Sequence, residues 1–483
     1  MLTCGKRIPD SEHAVSVSLP TMADVVGYEK QAPSVMRSIC SGYPRFVCHW
    51  MVQRVQAYLG RGVVAVRDQA AVEQLQRRMG RTFETIAGLP FGAVRLPSSY
   101  GAPQMEAIRC FLQHTGLQLS SREAEDFLLQ HDLLDQAQPD HVAVVQHPAE
   151  SIAHYLAGLY RTDMQHVALF PSGMSAFYAI FDAVDRIQRP KGKGVWLQVG
   201  WLYLDTSAVL EKYAPATQVF GVGALDMLEA YLLEHHADVA ALTTEVMTNP
   251  LLQTADILRL SQLCQRYDIP FIVDTSMPTP VNVEVLPYAD IVIESLTKFA
   301  GGHADVMAGA AIFGAHSRWP VEIQAHMMQS RPYERDLQVL AHHMQDYRER
   351  MLAINTNASI LWEYFNEHPR VKRVFGAQQT ASRAAYDAVR PRAGGYSGVL
   401  SVVFDRPLEQ IYDRLELLKG PSFGTVFTLC MPYVYLAHFD LVSTAAGRAQ
   451  LRSYGVDPEL LRVSVGLEPV GDIMGAFDAV LTG

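Results

Sequence analysis

The stretch that decides the fold is VDTSMPTPVNVEVLPYADIVIESLTKFAGGHADVMAGA, residues 273–310. It holds parts of three short apolar runs that are separated by turn-forming Pro, Asn and Gly. Similar runs recur over residues 141–355, and amphipathic stretches lie between most of them. The seven runs are HVALF (166–170), GVWLQV (194–199), TQVFGV (217–222), VAALTT (239–244), PFIVD (270–274), ADIVIES (289–295) and MAGAAIF (307–313). This alternation predicts an α/β fold with a mostly parallel, seven-stranded sheet that is covered on both faces.

The 483 residues are too many for one ordinary domain, and the pattern divides them into three parts. Residues 1–140 favour helices and irregular structure and form an N-terminal extension. Residues 141–355 form the large domain. Residues 356–483 contain the strand-like runs 398–405 and 460–468 among helical patterns, which predicts a small α+β domain at the C-terminus.

Composition and charge exclude several classes of protein. A net charge of -10 does not favour a nucleic-acid surface. The longest apolar stretch, Val306–Ala315, is about half a membrane span, and the first residues carry no signal-peptide pattern. The six cysteines are scattered and indicate reduced thiols, and the His-containing segments 325–328 and 341–345 lack zinc-ligand companions. We therefore expect a cytoplasmic protein that binds no metal, membrane or nucleic acid.

Lysine is scarce in this chain, since only 8 of its 40 basic residues are Lys. Of these, only Lys298 directly follows a predicted buried strand, after Ser295 and Thr297 and before the Gly301-Gly302 turn. A partly buried amine has a lowered pKa and becomes nucleophilic. Lys298 is therefore a candidate for a Schiff base to an aldehyde cofactor.

Two further strand ends complete this interpretation. Asp274 closes the run PFIVD, where a carboxylate either caps a helix or pairs with a cationic ligand. The turn Pro171–Met174 leads from a strand into a predicted helix, whose N-terminus suits a phosphate. Ligands bind beyond the carboxyl ends of strands in such sheets, so these groups predict a site for pyridoxal 5'-phosphate.

The residues 273–310 resemble the characteristic segment of the Cys/Met-metabolism pyridoxal-phosphate enzymes, the trans-sulfuration family. PSGM (171–174) resembles that family's phosphate turn, TEVMTNPLL (244–252) its E-x-x-x-N-P element, and LLRVSVGLE (460–468) its carboxylate-binding arginine element. The N-terminal third is similar to the fungal-type cystathionine γ-synthase branch. The segments that carry this likeness are HAVSVSLPTMADVVGYEK (13–30), GYPRFVCHWMVQRV (42–55) and FLQHTGLQLSSREAEDFL (111–128).

The resemblance implies fold type I of the pyridoxal-phosphate transferases and a role for each matching residue. Lys298 would hold the cofactor aldehyde, Asp274 its ring nitrogen, and Tyr203 would stack on the ring and assist proton transfer. Asn249 would contact the cofactor or the substrate carboxylate. The phosphate would be held by Ser172, Gly173, Met174, Ser295 and Thr297. The substrate α-carboxylate would be bound by Arg462 beside Ser422.

This sequence departs from the family at two places. A Y-x-R pair of the neighbouring subunit usually clamps the phosphate, but Val144 and Gln146 stand at the matching positions. Tyr43 and Arg45 keep that spacing about 100 residues earlier, where they either replace the clamp or serve as a core residue and a structural ion-pair partner. Phe427 stands where many relatives carry a Glu that influences the nucleophile, which leaves the leaving group and the nucleophile open.

The resemblance favours γ-replacement on an O-acyl-homoserine-like amino acid, in which a thiol or another nucleophile adds to a vinylglycine-type intermediate. The alternatives are a γ-lyase, an O-acylhomoserine sulfhydrylase, and γ-substitution with another nucleophile in specialised metabolism. A non-catalytic scaffold of the same fold is a further alternative, against which Lys298, Asp274 and Arg462 argue. The resemblance also implies a homodimer or homotetramer that acts on small amino-acid substrates.

Overall fold

The N-terminal region combines helices with two small antiparallel sheets. The computed structural model describes residues 3–39 and 41–482, so Cys40 lies outside the described residues. The strands of the N-terminal region are β1 (Arg7–Ile8), β2 (Ser16–Val17), β3 (Val63–Val66), β4 (Glu84–Thr85) and β5 (Gly92–Arg95). Its helices are α1 (Met22–Glu29), α2 (Pro33–Met36), α3 (Trp50–Leu59), α4 (Gln69–Met79), α5 (Ala102–Thr115) and α6 (Ser121–Gln130). The sheet β3-β5-β4 was not predicted, since the sequence favours helices and irregular structure over residues 1–140.

Within the described residues, the central unit is a seven-stranded sheet, as the sequence predicts. The order of its strands is β6-β12-β11-β10-β9-β7-β8. Their bounds are β6 (Val167–Phe170), β7 (Val195–Val199), β8 (Ala216–Phe220), β9 (Val239–Glu245), β10 (Phe271–Asp274), β11 (Ile291–Glu294) and β12 (Gly309–Phe313). Only β12 runs antiparallel to its neighbours, so the sheet is mostly parallel and the predicted fold type I is confirmed.

Helices cover both faces of this sheet, because its central strands are apolar on both sides. Val273 and Val292 pack into one core cluster, whereas Ile272 and Ile291 pack into the other. Successive residues of a strand point to opposite faces, which accounts for the two clusters. The helices are α7 (Pro148–Tyr160), α8 (Gly173–Gln188), α9 (Leu204–Tyr213), α10 (Leu225–His235), α11 (Ile257–Tyr267), α12 (Trp319–His326), α13 (Glu334–His343) and α14 (Tyr347–Glu367).

The C-terminal part is built on a second sheet, with the strand order β13-β14-β17-β16-β15 within the described chain. Its strands are β13 (Val371–Phe375), β14 (Val399–Phe404), β15 (Leu418–Lys419), β16 (Leu429–Met431) and β17 (Leu461–Ser464). Its helices are α15 (Arg383–Val389), α16 (Leu408–Tyr412), α17 (Tyr433–Ala437), α18 (Phe439–Val442), α19 (Ala445–Ser453) and α20 (Val470–Leu481). The two predicted runs are β14 and β17. In the part of the chain that the structure describes, no helix combines the length and the apolar character needed to span a bilayer.

Candidate active site

A cavity of about 370 Å³ lies where the carboxyl ends of the central strands meet the C-terminal unit. Strands β6, β7, β9, β10 and β11 all end at this edge, because they run in the same direction. Most of the predicted site residues line the cavity, although they are spread over almost 300 positions of the chain. They are Gly173, Met174, Tyr203, Asn249, Asp274, Ser295, Lys298, Ser422 and Arg462.

Lys298 lies just after β11 and points into this cavity. Its Nζ donates a hydrogen bond to Ser422 Oγ over 2.9 Å and lies 4.6 Å from the centre of the Tyr43 ring. Burial lowers the pKa of the amine, and the Arg462 cation lowers it further, against the opposing effect of Tyr43. The amine is therefore easier to deprotonate than an exposed lysine, as a nucleophile or base requires.

Arg462 is a buried cation, with 4% of its surface exposed. Its Nη2 donates to the Ser422 carbonyl oxygen at 2.8 Å and its Nη1 to Asn249 Oδ1 at 3.4 Å. Within the described residues it forms no ion pair with a carboxylate. Burial lowers its pKa to about 10, and the opposing effects of Tyr433 and Tyr203 only partly offset this. Arg462 is thus placed to bind an anionic ligand.

Asp274 ends β10 beside Glu245, which ends β9 in the neighbouring register position. Burial raises the pKa of Asp274, and burial together with the Asp274 charge raises the pKa of Glu245. The Ser276 backbone N–H donates to Asp274 Oδ1 at 2.7 Å, and no cation pairs with Asp274 in the described chain. A cation bound beside Asp274 would favour the ionised carboxylate.

The first turn of α8 forms another wall of the cavity. A Cβ atom on Gly173 would lie 2.8 Å from the Cβ of Ser295, so glycine allows this helix to approach the end of β11. Two other predicted phosphate ligands are not placed on the cavity. The Ser172 hydroxyl caps α8 by accepting from Ser175 N at 3.0 Å, and the Thr297 hydroxyl accepts from Ala308 N at 3.1 Å.

Tyr43 and Arg45 both line the cavity, although they come from the N-terminal region. Arg45 is buried, pairs with Asp205, and donates to the Tyr203 hydroxyl. Burial disfavours the ionised phenol of Tyr43, but the Lys298 and Arg45 cations together hold its pKa below the usual value. His114 also holds Asp205 in place, because its Nδ1 forms a hydrogen bond with Asp205 Oδ1 at 2.8 Å. Arg45 therefore lines the cavity and also forms a buried ion pair with Asp205.

The residues that depart from the family pattern, Val144, Gln146 and Phe427, all lie away from the cavity wall. Val144 and Gln146 are exposed on the chain and do not reach the cavity. Phe427 also lies off the cavity wall and packs beside Tyr43 and Ala304. Phe427 stands at the sequence position of the family's glutamate, but its side chain does not form part of the cavity wall.

The sequence did not predict most of the apolar residues that line the cavity, or the carboxyl of Glu29. The wall includes Phe46, Met247, Phe423, Met431 and Leu436, and a carboxyl, Glu29, also lines the cavity. These residues carry no local pattern that separates them from ordinary core residues. Glu245 had a detectable signal, since it opens the E-x-x-x-N-P element.

A sequence model of the family described as Cys/Met metabolism PLP-dependent enzymes matches residues 147–482. The chain therefore belongs to this family, whose members depend on pyridoxal phosphate, and the predicted family and cofactor are confirmed. The chain is accordingly a PLP-dependent enzyme of this family.

Two of the relatives that match nearly the whole chain have different names. An L-2-amino-4-chloropent-4-enoate dechlorinase/desaturase from Streptantibioticus cattleyicolor is 38% identical over 479 residues, covering 96% of this chain and 95% of that protein. A cystathionine gamma-synthase from Neurospora crassa is 29% identical over 616 residues, covering 99% of this chain and 97% of that protein.

Solved structures share the fold. A cystathionine gamma synthase from Xanthomonas oryzae pv. oryzae in complex with cystathionine has a TM-score of 0.60 and 20% identity, over 69% of this chain and 85% of that chain. A cystathionine gamma lyase from Micromonospora echinospora has a TM-score of 0.60 and 21% identity, over 71% of this chain and 93% of that chain.

Proposed function

We propose that this chain eliminates the γ substituent of a single α-amino acid, without a second amino acid as nucleophile. The observation that carries the proposal is Arg462, a buried guanidinium without a carboxylate partner in the described chain, next to Lys298 and Ser422. A substrate α-carboxylate would accept two hydrogen bonds from this guanidinium and offset the cost of burying its charge. The α carbon of the substrate would then lie near the Lys298 amine.

The site fits pyridoxal phosphate on the grounds of its own side chains. Asp274 lacks a cationic partner among the described residues and would pair with the ring nitrogen, and Lys298 would hold the aldehyde carbon. Gly173 and Ser295 would hold the phosphate at the first turn of α8, where backbone N–H groups are free. When bound, the cofactor supplies an electron sink for negative charge on the substrate.

Two side chains of the N-terminal region would complete the phosphate site. Arg45 supplies a cation that Asp205 orients, and Tyr43 supplies a phenol beside Lys298. We propose that this pair takes the place of the Y-x-R clamp, which Val144 and Gln146 cannot provide. Their positions on the cavity wall support this assignment.

The proton transfers fall to Lys298 and its neighbours. Its lowered pKa favours the neutral amine, which takes the proton from the α carbon. Ser422 orients the amine through the 2.9 Å hydrogen bond. Tyr203, whose hydroxyl accepts from Arg45, lies on the same cavity and would stack on the cofactor ring and assist the transfer.

The distribution of charge favours elimination over condensation with a second amino acid. Among the described residues that line the cavity, the cations are Lys298, Arg45 and Arg462. Arg45 is paired with Asp205 and is assigned to the phosphate, so Arg462 alone is left for an α-carboxylate. An incoming cysteine would bring a second carboxylate without a matching cation.

The candidate substrates carry a γ leaving group on a short apolar chain. The name of the Streptantibioticus relative places chlorine on C4, the γ carbon, of a five-carbon amino acid that has a C4–C5 double bond. Apolar residues such as Phe46, Met247 and Phe423 suit a halogenated, unsaturated chain. Loss of HCl breaks the C4–Cl bond, and chloride leaves with its electron pair while the carbon chain loses one proton.

A second candidate is the γ-replacement that the sequence predicts. The match to the Neurospora cystathionine gamma-synthase over 99% of this chain favours it. In that case a thiol would add to the γ carbon after the leaving group departs. The predicted homo-oligomer and the roles of the individual site residues stay proposals in either case.

The experiment that separates the two supplies the holoenzyme with 2-amino-4-chloropent-4-enoate and with O-acetylhomoserine, each with and without cysteine. Released chloride or acetate and the product masses are measured. We expect release from at least one substrate at a rate that cysteine does not change, and a product without sulfur. Turnover that requires cysteine and gives a thioether would overturn elimination and establish γ-replacement.

A further inference from the structure

One wall of the active-site cavity comes from residues outside the span that matches the family, 147–482. The residues that build it are Tyr28, Glu29, Tyr43, Arg45, Phe46 and Gln113. Helix α1, which carries the first two, is fixed to the C-terminal unit. Met22 N donates to Asp413 Oδ1 at 2.8 Å at the start of the helix, and α1 packs against α17. The part of the wall that α1 forms is therefore held by contacts with the C-terminal unit.

Glu29 is unusual among the side chains of this wall. It is half-buried, it lines the cavity, and it forms no ion pair within the described residues. It is also the last residue of α1, where the negative end of the helix dipole disfavours a carboxylate. Such a position costs stability rather than adding to it, which is typical of a residue that serves a site.

The charges around Glu29 set it apart from the lysine end of the cavity. Burial raises the pKa of Glu29 to about 7, and the charge of Asp440 on α18 raises it as well. The other titratable groups on α1 and at its C-cap are Asp24, Tyr28 and Lys30. Helix α17 carries Tyr433 and Tyr435, whereas α2 carries none. Lys298 and Arg462, in contrast, act on each other. The raised pKa of the Glu29 carboxyl thus lies near neutral pH, and its causes are burial and Asp440 and not Lys298.

The other carboxyls and phenols of the cavity are less suited to accept a proton from the substrate chain. Asp274 and Glu245 face each other at the sheet edge, where the cofactor ring nitrogen is assigned. Burial raises the pKa of Tyr28, Tyr203 and Tyr433, so these phenols stay protonated at neutral pH. Tyr43, whose pKa is lowered, lies beside Lys298 and is assigned to the phosphate. Glu29, at the end of α1, is the third carboxyl among the described residues that line the cavity.

We propose that Glu29 is a second base of this active site, which takes a proton from the substrate chain beyond the γ carbon. The inference rests on the proposed elimination and specifies its substrate class, amino acids with a γ halogen and a γ,δ double bond. Lys298 returns the protons that it removes near the α carbon. The net loss is the C5 proton, which passes to Glu29 and then to water, and chloride, which leaves C4 as the C4–C5 triple bond forms.

The test compares Glu29→Gln with the wild-type holoenzyme on two chlorinated substrates. One is 2-amino-4-chloropent-4-enoate, and the other is 2-amino-4-chlorobutanoate, which has no C5 proton to lose. Chloride release is followed from pH 5.5 to 9, and Glu73→Gln, an exposed glutamate on α4, is the matched control. Thermal unfolding of each variant, measured in parallel, reports on folding without turnover.

We expect Glu29→Gln to release chloride from the five-carbon substrate at least 100-fold more slowly, and from the four-carbon substrate within threefold of the wild-type rate. The wild-type rate with the five-carbon substrate should rise with pH through about 7, because the ionised carboxylate is the base, and this rise should vanish in the variant. Above pH 7 the variant should unfold at the same temperature as wild type or higher, since a charge at the end of α1 is removed.

Other outcomes overturn the inference. Equal losses with both substrates, or no loss with either, would show that Glu29 is not a base for the distal proton. A wild-type enzyme that converts the four-carbon but not the five-carbon substrate would reject the distal base and leave the elimination intact. A wild-type enzyme that releases chloride from neither, and acetate from O-acetylhomoserine only with cysteine, would overturn the proposed elimination itself.

Discussion

The Lys298 amine donates a hydrogen bond to the Ser422 hydroxyl over 2.9 Å, which joins the edge of the large sheet to the C-terminal unit. The Ser422 carbonyl oxygen also accepts from Arg462, so Ser422 contacts both Lys298 and Arg462. Removing the hydroxyl in Ser422→Ala should lower kcat/KM roughly 10-fold, the equivalent of one hydrogen bond of about 1.4 kcal/mol. Steady-state kinetics checks this.

Ser422→Gly is the matched control for the same position. Ser422 has φ 91°, a left-handed conformation that glycine adopts without strain. We expect the Gly variant to lose as much activity as the Ala variant but to unfold at a higher temperature than it. A Gly variant with wild-type activity would show that the hydroxyl does not matter for turnover.

Lys298→Ala should abolish turnover, because no other amine of the described chain lines the cavity. Borohydride treatment of the wild-type holoenzyme, followed by peptide mass analysis, should find the reduced cofactor attached at Lys298. Lys191→Ala, at the exposed end of the short 3₁₀ helix Arg189–Lys191, should keep both properties. A labelled peptide that contains another lysine would reject the assignment.

Arg462 should determine the affinity for the substrate carboxylate. Arg462→Lys keeps the charge but loses the bidentate hydrogen bonding of the guanidinium, so KM should rise roughly 10-fold. Arg462→Leu also loses the charge, so kcat/KM should fall roughly 100-fold. An amine analogue that lacks the α-carboxylate should bind wild type and Arg462→Leu equally. If the Leu variant binds the analogue more weakly, Arg462 acts mainly through packing.

Breaking the buried pair of Arg45 and Asp205 should destabilise the protein strongly. Asp205→Asn leaves the Arg45 cation buried without a carboxylate partner, which costs roughly 3–5 kcal/mol. Asp185→Asn removes a pair with Arg189 within one helical turn near the surface and should cost less than about 0.5 kcal/mol. Denaturant unfolding of the cofactor-free proteins measures both, and equal effects would contradict the structural role of the Arg45 pair.

The sequence was sufficient to predict the central sheet, because each strand is a continuous apolar run between turn residues. Strands β13, β15 and β16 were missed. Two of them are two or three residues long, and Arg373 and Lys372 interrupt the apolar pattern of β13. Short or edge strands take their structure from neighbours in space, which a local pattern does not contain.

The site was predictable where chemistry is concentrated in a motif, as at Lys298 and Asp274. It was not predictable where the contribution depends on tertiary contacts. Asp205 lies in an ordinary helical stretch, and only the fold places it against Arg45. Ser172 stands in the expected turn, but its hydroxyl is used to cap the helix. Sequence spacing therefore identifies the turn, and the structure decides which of its atoms face the cavity.

Glu294 should make the stability of the protein decrease as pH rises. It is buried at the end of β11, where burial raises its pKa from 4.5 to about 7, although the Tyr160 and Tyr347 hydroxyls donate to it at 2.7 Å each. The folded state therefore holds this proton between pH 4.5 and 7, whereas the unfolded chain releases it. The contribution is complete below pH 4.5 and is lost as pH rises through about 7, a change of roughly 3 kcal/mol.

Glu294→Gln removes this titration and should flatten the dependence of unfolding free energy on pH between 5 and 8. The variant loses a phenol hydrogen bond at every pH, because its amide nitrogen cannot accept, so the slope and not the absolute stability is the measurement. Glu73→Gln, on the exposed face of α4, should keep the wild-type slope. An unchanged slope in Glu294→Gln would mean that Glu294 is ionised in the folded protein, stabilised by its two tyrosines.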